Sequence, residues 1–161
     1  MKFVEEQLFK IIFYYESGAI TDFDIIQWAM SLALEGSELE SIIKLASVMK
    51  HGEDEVKVLF RQSIKYMGFD YPSQQALGFY RARLISESII NGKIQPLKGC
   101  SLISSICYDL DLPEILSDFL LLNHEASGHE ELGITREGLS KDIISTALKL
   151  IDNVNIELNL Q

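Results

Sequence analysis

Thr21-Asp22-Phe23-Asp24-Ile25-Ile26-Gln27-Trp28-Ala29-Met30-Ser31-Leu32-Ala33-Leu34-Glu35-Gly36 reads as one amphipathic helix with a start, a face and a stop. Thr21 or Asp22 offers an oxygen to the orphan amides of a helix N-terminus. Ile25, Trp28, Ala29, Leu32 and Ala33 recur at intervals of three and four, so they share one helical face. Trp28 on that face fits a core position or an exposed anchor for a partner. Gly36 ends the helix, because glycine enters the left-handed region without a Cβ clash.

The same grammar extends in both directions. Upstream, Val4, Leu8, Ile11, Ile12 and Tyr15 make the apolar face of a first helix, closed by Gly18. Downstream, Ser37 with Glu40 predicts a capping box for a third helix carrying Leu39, Ile42, Ile43, Ala46 and Met49, stopped by Gly52. A fourth is expected from Glu53 to Met67, with Val56, Leu59, Phe60, Ser63 and Met67 inward. Pro72-Ser73 opens a fifth, which Asn91-Gly92 closes.

Gln95-Pro96 starts a sixth, since proline suits the first helical position. Its stripe is Leu102, Ile103, Ile106, Cys107 and Leu110. Asp111 with Pro113 repeats that start signal for a seventh, holding Ile115, Leu116, Phe119 and Leu120. An eighth runs from about Arg136 to Asn153 on Leu139, Ile143, Ala147, Leu150, Ile151 and Val154. No alternating Val/Ile/Thr run suggests a strand. The predicted fold class is all-α, a bundle of about eight helices joined by short loops. No linker rich in glycine, serine or proline interrupts it, so residues 1–161 read as a single domain. Ile25-Ile26-Gln27-Trp28-Ala29 recurs as Ile42-Ile43-Lys44-Leu45-Ala46, which makes the bundle partly like a helical-hairpin repeat.

Charge is distributed unevenly. The chain has 24 acids against 14 Lys and Arg, a net charge of −10. From Ile11 to Ile43 there are six acids and no Lys or Arg; from Gly99 to Thr135 there are seven and none. Lys44 to Lys98 is basic overall. Such a chain is repelled by nucleic-acid backbones and by anionic membranes, and attracts basic proteins. No apolar run approaches the length of a membrane span. The Met1-Lys2-Phe3-Val4-Glu5-Glu6 start lacks the pattern of a secretory signal, so a cytoplasmic location is expected.

Catalytic and metal chemistry find little support. His124-Glu125-Ala126-Ser127-Gly128-His129 spaces its histidines five apart, and zinc histidines on one helical face stand four apart. Gly99-Cys100-Ser101 lacks the strand-turn-helix setting of a nucleophile elbow. Cys100 and Cys107 fall on one helical face about 10 Å apart, too far for a disulfide. Two buried thiols are expected instead. The expectation is no metal, no cofactor and no enzymatic activity.

The acids that remain are candidates for partner binding: Asp109, Glu114, Asp118, Glu125, Glu130 and Glu131. One reading makes them solvated faces and helix caps, with Asp111 and Glu114 favourable at a helix N-terminus. The other makes them a surface that imitates a polyanion and holds a basic protein.

Asp24-Ile25-Ile26-Gln27-Trp28-Ala29, the Gly36 stop and Ile43-Lys44-Leu45-Ala46 together resemble small bacterial helical proteins of toxin–immunity loci. Ile89-Ile90-Asn91-Gly92-Lys93-Ile94-Gln95-Pro96-Leu97-Lys98-Gly99 resembles a second pattern in such proteins. The resemblance implies an immunity protein of contact-dependent growth inhibition or a related polymorphic toxin system. The partner implied is a cognate toxin domain. It transfers no binding residue, because immunity surfaces vary with the toxin they match. The alternatives are a helical adaptor for another protein and, further off, an enzyme with a carboxylate site.

Overall fold

The computed structural model describes residues 2–48, 53–128 and 133–158. Among them it holds eight α-helices, one 3-10 turn and no strand. The all-α expectation is met. Met49, Gly52, Glu130 and Glu131 lie outside the described residues. The chain divides into two compact units, Met1–Pro72 and Ser73–Gln161. The division falls at Pro72-Ser73, the start signal of the fifth helix.

The first unit contains α1 (Lys2–Glu16), α2 (Asp22–Leu34), α3 (Glu40–Ala46) and α4 (Glu53–Tyr66). α2 packs on α3 and α4, and α3 on α4. Buried at their centre are Ile25, Ile26, Ala29, Ile42, Leu45, Val56, Phe60 and Ile64. Phe60 meets the rings of Tyr15, Trp28 and Tyr71 edge-on, with centroids 5.3, 5.4 and 6.4 Å away. Edge-to-face contact places the positive rim of one ring on the negative face of another. Trp28 is therefore a half-buried core residue.

Glu16, at the end of α1, fastens that helix to α4. Its carboxylate accepts from Arg61 at 3.0 Å, Lys57 at 3.4 Å and the Tyr71 hydroxyl at 2.7 Å. The Arg61 guanidinium also lies 4.7 Å over the Tyr71 ring. Burial pushes the Glu16 carboxyl up, but the Tyr71 and Arg61 hydrogen bonds and the Lys57 charge outweigh it and hold it below its ordinary value.

Two expectations for this unit are corrected. The capping box belongs to α2: Asp24 accepts from the Thr21 amide and hydroxyl, both at 2.7 Å. Glu40, expected to box with Ser37, instead pairs with Lys44 at 2.7 Å, and Leu39 is the N-cap of α3. The buried face of α3 also differs from the expected one. Ile43, expected inside, is exposed, and Leu45 is buried.

The second unit contains α5 (Gln74–Ile90), α6 (Pro96–Asp109), a 3-10 turn (Glu114–Leu116), α7 (Ser117–Gly128) and α8 (Arg136–Glu157). α5 runs against α8, and α6 against α5 and α7. The core includes Phe79, Ala82, Ile103, Leu116, Phe119, Ile143 and Val154. Ser73 caps α5 by accepting from the Ala76 amide, and Thr135 caps α8 through Gly138. Gly99 sets the approach of α6 to α5: a Cβ there would lie 2.5 Å from the Ile89 side chain. Leu102, expected in the α6 stripe, faces outward, while Ile103, Ile106 and Cys107 are buried.

Cys100 and Cys107 are free, buried thiols. Burial raises both, and Cys100 is pushed up to about 11 although a hydrogen bond with Ser104 pulls the other way. The Ser104 hydroxyl donates to the Phe119 carbonyl at 2.8 Å and ties α6 to α7.

Candidate binding surface

The surface begins with the way α6 ends. The Leu112 amide donates to the Cys107 carbonyl at 2.9 Å, and the Asp111 amide to Tyr108 at 3.2 Å. These are the two bonds of a Schellman motif, which satisfies the last carbonyls of a helix. α1, α2, α4 and α5 end on the same pair of bonds, with Gly18, Gly36, Gly68 and Gly92 at the left-handed position. At the end of α6 that position is Asp111, with φ 59°, and Leu112 follows with φ 59°. Two successive side chains are thus held in a region that L-residues disfavour.

Asp111 therefore closes α6 and does not start the next helix, as its spacing to Pro113 had suggested. Its amide is already committed to an α6 carbonyl. Pro113 precedes the 3-10 turn without a capping hydrogen bond, and α7 starts at Ser117, whose hydroxyl donates to the Glu114 carbonyl at 2.8 Å. The reversal leaves Leu112 and Tyr108 strongly exposed beside Asp109 and Asp111.

The candidate acids separate into groups. Glu114 and Asp118 are exposed and stand on one groove of about 720 Å³, formed by α5, the 3-10 turn, α7 and the end of α8. Phe79, Ile115 and Ile156 supply its apolar lining. Glu157, from the last turn of α8, is a third carboxylate on it. Sequence reading missed Glu157 because it ended the eighth helix at Asn153; α8 runs on to Glu157, and its packing against the turn brings that carboxylate there. Asp109 is exposed on the last turn of α6, outside the groove. Glu125 is half-buried on α7, two turns beyond Asp118 on the same face.

Comparison with protein-family models, curated proteins and solved structures gives no match for this chain.

The groove has no Lys or Arg in its lining. Among the described residues, Asp109, Asp111, Glu114, Asp118, Glu125 and Glu157 form no ion pair. Two cations of this unit are engaged elsewhere: Arg83 with Glu87 at 3.0 Å, and Lys141 with Glu137 at 2.8 Å. His124 is exposed on α7. No group of three or more His, Cys, Asp or Glu among the described residues is arranged to hold a metal ion. Carboxylates around an apolar lining suit a guanidinium or ammonium group on an aliphatic stem, which takes hydrogen bonds at its head and contact along its length.

Proposed function

We propose that this chain is an acidic binding protein that neutralises a basic toxin domain by covering it, as an immunity protein does. The observation that carries the reading is the groove bearing Glu114, Asp118 and Glu157, three carboxylates whose lining holds no Lys or Arg and which form no ion pair among the described residues. Unpaired acids on one surface cost self-repulsion and project negative potential, which speeds encounter with a positive partner. Tyr108 and Leu112, exposed at the adjoining turn, add the aromatic and apolar contact that anchors interfaces. On this reading an Arg or Lys of the toxin enters the groove, and the protein works in the cytoplasm, the compartment the toxin attacks. Among the described residues no helix is long and apolar enough to cross a membrane.

Where the neighbouring gene encodes a large secreted protein, the test is co-purification with its C-terminal fragment, followed by binding kinetics. Replacing Asp109, Glu114 and Asp118 together by Lys is expected to slow association, and added salt is expected to slow the wild type. Unchanged association and dissociation in a folded triple variant would make the acids a solvated face.

A further inference from the structure

The first unit carries a surface that the acidic groove does not explain. On α2, Phe23, Met30 and Leu34 are 65%, 40% and 87% exposed. Their spacing aligns them with Gln27 in one stripe along about 16 Å of helix. The stripe lies opposite Ile25, Ile26 and Ala29, which are buried. Even its polar member is directed along it, for the Gln27 amide donates to the Met30 sulfur at 3.7 Å. The helix is well closed at both ends, by Asp24 on Thr21 and by the Schellman bonds at Gly36. It is an ordered helix with an unpartnered apolar face.

The charges around the stripe say what covers it. Asp24, Glu35 and Glu38 are exposed on α2 and just beyond it, and none forms an ion pair among the described residues. Three cations of this unit are drawn elsewhere, Lys57 and Arg61 to Glu16 and Lys44 to Glu40. A second copy would bring the same acids against these, and anionic lipid headgroups would be repelled in the same way. We propose that the outer face of α2 is a docking surface for a basic amphipathic helix of a partner protein. Apolar residues of that helix pack on Phe23, Met30 and Leu34, and its Lys or Arg flanks face Asp24, Glu35 and Glu38. The proposal does not depend on the groove of the second unit.

The probe is a synthetic amphipathic helix of about fourteen residues, with a Leu stripe flanked by Lys, and a matched peptide with Glu in place of Lys. Each is titrated into the full chain, read by fluorescence of Trp28, the single tryptophan, which lies on α2. The Lys peptide is expected to bind and the Glu peptide not to bind. Replacing Phe23, Met30 and Leu34 together by Ser is expected to weaken the Lys peptide roughly tenfold or more. Glu35→Lys with Glu38→Lys is also expected to weaken it, whereas Asp142→Lys with Asp152→Lys, at exposed positions of α8, is expected to leave it unchanged. Circular dichroism checks that each variant folds, and Leu34→Ser alone replaces the triple variant if that one does not. Equal binding of the Lys peptide by the serine variant overturns the proposal. So does a wild-type dimer that the serine substitutions dissolve, or wild-type binding to anionic vesicles that they abolish.

Discussion

At the scale of one residue, Asp111 is in tension with its position. Its φ of 59° suits glycine, the residue that four other helix ends place there. Its charge also stands at a helix C-terminus, where the dipole is already negative. Both effects oppose stability, and both are relieved by glycine. Asp111→Gly is therefore expected to raise stability by about 1 kcal/mol, read as a higher urea midpoint. Asp111→Asn keeps the side-chain shape and removes the charge, so its share of the gain sets an upper bound on the dipole's part, since asparagine also suits the left-handed position. If the glycine variant is no more stable than the wild type, the turn is not strained. On the proposed function the same variant also binds its partner more slowly, because one acid leaves the surface.

Among elements, the joint between α1 and α4 depends on Glu16. The carboxylate is ionised when it accepts from Tyr71, Arg61 and Lys57, and these interactions hold it below its ordinary value of 4.5. A depressed folded-state value means that the stabilisation is fully present above the unfolded value. It is lost as pH falls through the folded one. Glu16→Gln should cost about 1 kcal/mol at pH 7, a modest figure because Lys57 and Arg61 are half exposed and screened. The gap between variant and wild type should close as pH drops below 4.5. Thermal melts from pH 7 to pH 3 check this. A gap that stays constant through that range would assign the loss to packing and not to charge.

Over the whole molecule, acidity is shared evenly. Each of the two units has twelve acids and seven Lys or Arg. Self-repulsion within each unit opposes folding and is screened by salt, while of the ion pairs among the described residues, which salt also weakens, Lys44 with Glu40 and Lys141 with Glu137 are exposed. Raising sodium chloride at pH 7 should therefore raise the melting temperature. Melting at a lower temperature in salt would mean that attractive pairs, Glu16 with Arg61 foremost, outweigh the excess of acids.

The sequence by itself determined the eight helices and most of their ends. Helical faces repeat within a few residues, and start and stop signals act on the adjacent backbone. Pro72-Ser73, Asn91-Gly92 and Gln95-Pro96 were legible for that reason, as was the inward face of α8. Local signals also misled, where Ser37 with Glu40 looked like a capping box, and where Asp111 with Pro113 looked like a beginning. Of the candidate acids, sequence marked Glu114 and Asp118 by their setting in a stretch without cations. Only tertiary structure decided that they share a groove with Glu157, and that Asp109 stands outside it. It alone assigned Arg61 and Tyr71 to Glu16, and left Phe23, Met30 and Leu34 of α2 uncovered. Those outcomes depend on which helices pack together, and contacts between residues forty or more positions apart leave no periodic trace in the chain.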